Sequence, residues 1–309
     1  MRSSSTMAST DPSHLSPRSV RHVSGQAYDL SRSWVVQGDC RRVLADLPDR
    51  CADLIFADPP YFLQLQNELR RPNNTVVEGV DDVWDQFADW EEYDAFLRVW
   101  LSECQRVLKD SGTLWVIGMY HNVYRLGAVM QDLGFWMLNS VIWEKCNPTP
   151  QFRGVRFCNA HEELIWATKG AKYARGYTFN YHDLKEENGG KQMRSVWRFP
   201  ICNGDARKKG GDGKKLHSTE KPLGLLERIV AGCTQPGDLV LDPFCGTGTT
   251  GEAALRLGRR YFLVEQQSLY IEYGVLPRLY HAEMQLAAEA TRQGSAGAAI
   301  SRRGPLAHR

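Results

Sequence analysis

The sequence predicts an α/β protein built on a doubly wound, mostly parallel sheet. Apolar runs with the length of buried strands alternate with segments of helical apolar spacing along most of the chain. Two of the apolar runs end in a carboxylate and a turn, at Asp58-Pro59-Pro60-Tyr61 and at Asp242. Because ligands bind at the carboxyl ends of parallel strands, we expect both turns to belong to one site.

Each element is predicted from its local apolar pattern and from the Pro and Gly residues that begin or end it. Strands are predicted at the apolar runs 34–39, 54–57, 113–119, 136–144, 161–168, 238–241 and 260–265. Helices are predicted where apolar residues recur at helical spacing, at 40–47, 89–109, 122–133, 222–233, 249–257 and about 268–289. Pro48 ends the first helix, Pro222 begins the fourth, Gly258 ends the fifth, and Pro277 interrupts the last.

Composition suggests how the chain is divided. Residues 1–30 are rich in Ser, Thr, Arg and His, which predicts a disordered leading segment. We predict one catalytic domain over 31–289, with an insertion at about 145–215 that is rich in Gly, Lys and Asn. Residues 290–309 are rich in Ala, Gly, Arg and Ser, which predicts a flexible tail. The unpatterned stretch 62–90 predicts a long functional loop.

Bulk properties favour a cytoplasmic globular protein. The 309 residues are 42% hydrophobic and 24% charged, and no apolar run is long enough for a transmembrane helix. The first residues lack the apolar core of a secretory signal. None of the eight cysteines has CxxC spacing, which favours free thiols in a reducing compartment and no metal site.

Positive charge is concentrated in one part of the chain. Between Lys145 and Lys215 there are fifteen Lys and Arg against seven Asp and Glu, although the whole chain carries only +2. Aromatic residues are interleaved with this basic block, which fits either a nucleic-acid surface or a solvated face beside core aromatics. The candidate base-reading residues are Arg153, Arg156 and Arg194. The candidate phosphate-binding residues are Lys208, Lys209, Lys214 and Lys215.

The turn after the strand at 238–241 indicates a nucleoside cofactor. Gly246, Gly248 and Gly251 satisfy a G-x-G-x-x-G pattern, which by itself fits a dinucleotide equally well. Glu265 ends the next strand and is the expected acceptor for ribose hydroxyls. The candidate cofactor residues of these two turns are Asp242, Pro243, Phe244, Gly246, Thr247, Gly248, Thr249, Glu265 and Gln266.

The turn Asp58-Pro59-Pro60-Tyr61 suits a planar base that bears an amino group. The Asp58 carboxylate and the Pro59 carbonyl can accept hydrogen bonds from both N–H groups, which localises the lone pair of a poorly nucleophilic nitrogen. Proline fixes the direction of the carbonyl, and Tyr61 can stack on a base flipped out of a duplex. The four residues are therefore candidate catalytic residues. The alternative is a strand exit stiffened by prolines.

Four phrases extend this interpretation to a family. They are Ala57-Asp58-Pro59-Pro60-Tyr61, Gly112-Thr113-Leu114-Trp115-Val116-Ile117-Gly118, Asn147-Pro148-Thr149-Pro150-Gln151-Phe152-Arg153-Gly154 and Asn159-Ala160-His161-Glu162-Glu163-Leu164-Ile165-Trp166. With the two turns, they resemble the β-class amino-methyltransferases, and are similar to the CcrM-like adenine methyltransferases of GANTC sites over about 33–280. Two features depart from that family. Phe62 stands where members often have Asn, and the chain ends without their C-terminal extension.

The resemblance implies transfer of a methyl group from S-adenosylmethionine (AdoMet) to adenine N6 in double-stranded DNA. It implies an AdoMet-dependent methyltransferase fold with circularly permuted motif order, in which 145–215 recognises the target. Further residues that it assigns to the cofactor are Asp39, Asp58, His217, Ser218, Lys221 and Pro222. A homodimer and a cognate restriction endonuclease are open under this interpretation.

Other functions stay open on the sequence. Within methyltransferases, the alternatives are cytosine N4 of DNA and an RNA adenine, although an acid rather than serine before Pro59 favours adenine. A nicotinamide-dependent oxidoreductase could use the same glycine loop, but it gives no role to Asp58-Pro59-Pro60-Tyr61. A non-catalytic DNA-binding relative would have no need of Asp58 and Tyr61.

Overall fold

A nine-stranded sheet forms the centre of the protein in the computed structural model, which describes residues 18–63, 69–70, 76–77, 85–151, 154–202 and 220–301. The strands in chain order are β1 Arg18–Arg21, β2 Trp34–Gln37, β3 Ala52–Ala57, β4 Leu69–Arg70, β5 Val76–Val77, β6 Leu108–Gly118, β7 Trp136–Lys145, β8 His161–Thr168, β9 Val196–Phe199, β10 Leu239–Asp242 and β11 Arg260–Glu265. The order across the sheet is β1-β2-β11-β10-β3-β6-β8-β7-β9, and β4 pairs with β5 separately.

Most neighbouring strands are parallel, as predicted. The six strands from β1 to β6 across the sheet pair in parallel, and so do β7 and β9. β8 is antiparallel to both of its neighbours. The carboxyl ends of β2, β11, β10, β3, β6 and β7 therefore lie along one edge of the sheet.

Helices cover both faces, which confirms the doubly wound class. They are α1 Cys40–Ala45, α2 Trp90–Val107, α3 Val123–Asp132, α4 Tyr181–Glu187, α5 Leu223–Cys233, α6 Thr249–Arg256, α7 Ser268–Tyr270 and α8 Leu276–Ser301. α1, α2 and α3 pack in one core cluster, and α5, α6 and the start of α8 pack in another on the opposite face.

The helix α2 shows how local sequence and packing agree. The Asp89 side chain accepts a hydrogen bond from the N–H of Glu92 at 2.9 Å, and the Glu92 carboxylate accepts from the N–H of Ala88 at 2.6 Å. These reciprocal bonds satisfy amides that a helix start leaves without partners. Tyr93, Leu97 and Trp100 lie at helical spacing and are fully buried against the sheet.

The direction of winding reverses between β3 and β10. β3 leads through α2 to β6 on one side, whereas β10 leads through α6 to β11 on the other. At such a switch point, the loops leaving two adjacent strands separate toward opposite faces and leave a crevice between them. Asp58 follows β3, and Asp242 ends β10. The crevice therefore opens between the two acidic turns identified in the sequence.

Three predicted boundaries are wrong. Residues 18–21, assigned to the disordered lead, form β1 and pair with β2, while the Tyr28 ring packs edge-on against Phe262 at 5.0 Å. Residues 161–168 form β8 inside the sheet, so the predicted insertion over 145–215 contains a core strand. The flexible tail was predicted from 290, but α8 continues to Ser301 because its alanines favour helix.

The predicted loop over 62–90 and the basic block fall partly outside the described residues, since 64–68, 71–75, 78–84 and 203–219 are not described. Among the described helices, none combines the length and apolar character needed to cross a membrane.

Two helical glycines provide a test of the packing. A Cβ at Gly251, in α6, would clash with Cδ1 of buried Leu263, so Gly251→Ala overpacks the core. A Cβ at Gly127, in α3, would meet only Ile165 at an ordinary 3.6 Å. We expect Gly251→Ala to lower the free energy of unfolding by about 1–3 kcal/mol. Gly127→Ala should raise it by roughly 0.5–1 kcal/mol. Chemical denaturation measures both, and equal effects would contradict the packing described here.

Candidate active site

A cleft lies at the carboxyl ends of β2, β11, β10 and β3, four adjacent parallel strands. It is lined by residues from both acidic turns and from the turns after β2 and β11. The predicted site residues that line it are Asp39, Asp58, Pro59, Pro60, Tyr61, Lys221, Asp242, Pro243, Phe244, Gly246, Thr247, Thr249, Glu265 and Gln266. The structure thus brings together residues that are more than two hundred positions apart in the chain.

The turn after β3 is held by a carboxylate from a distant position. Asp85 accepts hydrogen bonds from the N–H groups of Tyr61, Phe62 and Leu63, at 2.6, 2.7 and 2.9 Å. Phe62 has a φ of 53°, in the left-handed region that Gly and Asn adopt more readily. Its ring stacks at 5.7 Å from that of Tyr93, which compensates for the unfavourable backbone.

Tyr93 also fixes the prolines of this turn. Its hydroxyl donates to the Pro60 carbonyl at 2.8 Å and accepts from the Asn122 side-chain amide at 3.0 Å. Asn122 is fully buried, and its oxygen accepts from the N–H of Met119 at 3.0 Å. The direction in which Asp58 leaves β3 is therefore set by contacts from α2 and from the turn after β6.

A largely buried cluster of charged groups surrounds Asp58. Asp58 Oδ2 lies 2.6 Å from Nζ of Lys221, and its Oδ1 accepts from the Tyr61 hydroxyl at 2.9 Å. The same hydroxyl lies 3.1 Å from Oε2 of Glu162, whose Oε1 lies 2.7 Å from Nζ of Lys145. The Nζ atom of Lys221 lies 3.7 Å from Oε2 of Glu162. Two carboxylates and two ammonium groups thus balance each other in a site with little exposure to solvent.

Burial and charge shift these groups in different directions. Burial raises the pKa of Asp58, and the nearby Lys221 only partly offsets it. Burial also works to raise the pKa of Glu162, but Lys221 and Lys145 outweigh it and hold that pKa below its usual value. Burial works to lower the pKa of Lys221, but Asp58 and Glu162 outweigh it and raise that pKa. The ammonium of Lys221 is therefore retained beside Asp58.

The glycine loop after β10 bends sharply toward the cleft. Gly246 and Gly248 have φ values of 52° and 83°, which other residues rarely adopt. The N–H of Gly246 donates to Oε2 of Glu265 at 2.9 Å, and the N–H of Gln267 donates to Oε1 at 2.8 Å. Burial raises the pKa of Glu265 to about 7, and burial likewise raises the pKa of Asp242 to about 7.

Arg278 holds the glycine loop in place through hydrogen bonds. This buried side chain of α8 donates to the Thr247 carbonyl at 2.8 Å and to the Glu252 carboxylate at 2.8 Å. It also pairs with Glu220, which lines the cleft next to Lys221. Arg278 therefore links the glycine loop with the segment that supplies Lys221.

The lining fits a nucleoside cofactor that has no phosphate. Glu265 offers carboxylate oxygens for ribose hydroxyls, and Phe244 and Phe96 offer apolar surface for a base. Asp39 accepts hydrogen bonds from the N–H and guanidinium of Arg41, which overcome the opposing effect of burial and hold its pKa below the usual value. The carboxylates of Asp58, Asp242 and Glu220 also line the cleft, where Lys221 is the counter-charge of Asp58 and Arg278 that of Glu220.

Other predicted residues lie elsewhere. Pro222 is buried at the start of α5, and Gly248 packs against Val275, so neither lines the cleft. Arg156 lies on the loop between β7 and β8, where it donates to the Tyr120 hydroxyl at 2.7 Å. Arg194 lines a separate cavity beside Arg228. The predicted residues outside the described part of the chain are Arg153, Lys208, Lys209, Lys214, Lys215, His217 and Ser218.

Sequence reasoning missed several residues that build or support the site, including Tyr93, Arg278 and the three discussed next. Asp85 falls in a stretch without periodicity, and nothing nearby suggests that it holds the turn after β3. Lys145 was counted only as part of the basic block. Glu162 is adjacent to Glu163 at the start of β8, and the sequence does not show which of the two acids is buried. The only available signal is an acid next to the apolar run of a predicted core strand.

Comparison with known sequences gives a consistent answer. The pattern that defines the N6/N4 DNA methylase family matches residues 52–275. The Type II methyltransferase M.HinfI of Haemophilus influenzae is 50% identical over 238 residues, which cover 77% of this chain and 66% of that protein. The match thus spans just under two thirds of that relative's length. The Type II methyltransferase M2.DpnII of Streptococcus pneumoniae is 38% identical over 245 residues, covering 79% and 89%.

Solved structures share the fold. The cytosine-N4-specific PvuII DNA methyltransferase has a TM-score of 0.62 at 18% identity, covering 82% of this chain and 92% of that one. TTHA0409 of Thermus thermophilus, in complex with AdoMet, has a TM-score of 0.56 at 26% identity, covering 80% and 93%. Fold, site and sequence agree, and this chain belongs to the N6/N4 DNA methylase family.

Proposed function

We propose that this protein transfers the methyl group of AdoMet to N6 of adenine in double-stranded DNA. The observation that carries the proposal is Asp58, whose side chain is only 16% exposed, at the junction of the cofactor cleft and the turn Asp58-Pro59-Pro60-Tyr61. The similarity to two Type II methyltransferases and the solved AdoMet complex of TTHA0409 support the reaction and the cofactor.

The chemistry required of the protein is modest. AdoMet supplies a methyl group on a sulfonium, which is already an excellent leaving group. The remaining barrier is the weak nucleophilicity of an aromatic amine, whose lone pair is delocalised into the ring. The Asp58 carboxylate and the Pro59 carbonyl would each accept a hydrogen bond from one N–H of the amine. These hydrogen bonds would localise the lone pair on the nitrogen. Pro60 is fixed by Tyr93, so the Pro59 carbonyl is presented from a rigid turn.

Adenine is favoured over cytosine by the residue that begins the turn. Asp58 is an acid rather than serine, and within this family an acid favours adenine. The likeness to the cytosine-N4-specific PvuII enzyme is at 18% identity, so it supports the fold alone. By resemblance to the CcrM-like enzymes, we propose a short GANTC-like target. We further propose a cytoplasmic location, a homodimer and a cognate restriction endonuclease.

The position and side chains of the loop between β7 and β8 favour a DNA-binding surface beside the cleft. It leaves the same edge of the sheet as β3 and β6, because β7 runs in their direction. Phe157 on this loop is 97% exposed, and Arg156 lies over the Tyr120 ring at 5.7 Å. We assign target recognition to this loop and to the basic segment that follows β9, within the predicted range 145–215.

The assigned role of Asp58 is tested by Asp58→Asn. We expect methyl transfer to DNA to fall by about three orders of magnitude or more, because the lost carboxylate interacts mainly with the reacting amine. AdoMet affinity measured by calorimetry should change by no more than a few-fold, and Glu162 leaves Lys221 a counter-charge. Asp53→Asn, at the other end of β3, is the matched control and should retain activity. Near-normal turnover of Asp58→Asn would refute the role.

The assigned role of Glu265 predicts a pH dependence of cofactor binding. Its pKa is raised to about 7, so the carboxylate that accepts ribose hydroxyls is progressively protonated as pH falls below 7. AdoMet affinity should weaken from pH 8 to pH 6, and Glu265→Gln should bind more weakly at pH 8. The variant should also lose part of the pH dependence, with Asp242 accounting for the rest. Affinity independent of pH in the wild type would contradict this assignment.

DNA binding should depend steeply on salt, because the basic charges of the protein are concentrated between Lys145 and Lys215. Neutralising Lys208, Lys209, Lys214 and Lys215 together should weaken binding to all sequences and flatten the salt dependence. Changing a base-reading arginine such as Arg156 should instead relax specificity at one position, by about 1–3 kcal/mol. Fluorescence anisotropy at several salt concentrations measures both effects. An unchanged salt slope in the quadruple variant would show that these lysines do not contact DNA.

A further inference from the structure

We propose that Glu162 is a positioning residue that acts through Tyr61 on Asp58, holding the Tyr61 hydroxyl so that Asp58 can accept from the target amine. The inference rests on the proposed function and assigns to this site a residue that sequence motifs did not identify.

Glu162 is held firmly in place. It is 7% exposed on β8, opposite Trp143 on β7. Lys145, two residues further along β7, binds its Oε1 at 2.7 Å. Its other oxygen, Oε2, lies 3.1 Å from the Tyr61 hydroxyl and 3.7 Å from the Lys221 ammonium. One oxygen is therefore anchored, and the other faces the groups that surround Asp58.

The Tyr61 hydroxyl lies between two carboxylates. It is 2.9 Å from Oδ1 of Asp58 and 3.1 Å from Oε2 of Glu162, yet it has a single proton to donate. When Glu162 accepts that proton, the lone pairs of Asp58 Oδ1 become available to the amine. Burial, together with the two acids, raises the pKa of Tyr61 far above its usual value, so the hydroxyl stays protonated. Glu162 thus determines which acceptor the tyrosine occupies.

The reaction releases one proton from the amine. The amine supplies the electron pair of the new C–N bond, the sulfur of AdoMet keeps the pair of the bond that breaks, and one N–H proton must leave. Asp58 Oδ1 takes this proton. Because the pKa of Asp58 is raised and that of Glu162 is lowered, the proton stays on Asp58 until it is lost to solvent after the product leaves. Glu162 therefore remains an anion that holds the Tyr61 hydroxyl throughout.

A double-mutant cycle tests this coupling. Single-turnover methyl transfer to DNA would be measured for wild type, Glu162→Gln, Tyr61→Phe and the double variant. Each single change should slow transfer by about 10- to 100-fold, and the double variant should be no slower than the slower single variant, because both act on Asp58 through the same hydroxyl. AdoMet affinity should be unchanged in all four. Glu163→Gln is the matched control, since Glu163 bonds Ser140 outside the cluster.

The pH profile separates this role from a merely structural one. Asp58 is faced by Tyr61 on its own turn, Lys221 before α5, Glu162 on β8 and Asp242 on β10. The negative charge of Glu162 favours the protonated form of Asp58. Removing that charge in Glu162→Gln therefore lowers the pKa of Asp58. The acidic limb of the single-turnover profile should therefore shift to lower pH in Glu162→Gln. It should stay in place in Glu163→Gln.

Each outcome decides the matter. An unchanged rate and pH profile in Glu162→Gln, or losses that multiply in the double variant, would overturn the inference. If Glu162→Gln does not fold, Glu162→Gln combined with Lys145→Gln removes both members of the pair and is held to the same criteria. Failure of the wild type to methylate DNA would refute the proposed function itself. Methylation by wild type with an unaffected Glu162→Gln would refute this inference alone.

Discussion

The largely buried ion pair between Asp58 and Lys221 is the interaction on which the site depends. It joins the turn after β3 to the segment before α5, two parts of the chain separated by 163 residues. Burying one charge without a partner would be costly, and removing one member of such a pair typically destabilises a protein by about 3–5 kcal/mol. Asp58 depends on Lys221 to offset its burial, whereas Lys221 also has Glu162 as a second counter-charge. The pair ties the folding of the catalytic turn to the assembly of the cofactor cleft.

Around this pair, the fold supplies two rigid supports. On one side, Asp85 and Tyr93 fix the turn that carries Asp58, so its carboxylate and the proline carbonyls have one orientation. On the other, Arg278 joins the Thr247 carbonyl to Glu220, beside Lys221. Tyr93 and Arg278 come from helices packed on opposite faces of the sheet, so the site is supported from both core clusters. Such preorganisation is what electrostatic activation of an amine requires.

The fold and much of the site could be predicted from the sequence because their signals are local. Apolar runs and their terminating residues located β2, β3, β6, β7, β8, β10 and β11, together with both acidic turns. The edge strands β1 and β9 were missed because β1 has a single apolar residue, Val20, and β9 lies in a stretch rich in Gly, Lys and Asn, and each is stabilised by pairing with a neighbour. Asp85, Lys145 and Glu162 were missed because their roles arise from contacts with groups distant in the chain, and no local pattern records them. Lys221 was assigned to the cofactor by resemblance, and in the structure it lines the cleft with its ammonium against Asp58.

The most direct test of the central claim is the identity of the methylated nucleoside. Double-stranded DNA would be incubated with the protein and AdoMet that carries a deuterated methyl group, digested, and analysed by mass spectrometry. The arrangement of Asp58, Lys221 and Tyr61 beside the cofactor cleft predicts label on N6 of adenine, and its absence with Asp58→Asn. Label on cytosine, or no label in DNA under conditions where AdoMet binds, would contradict the account.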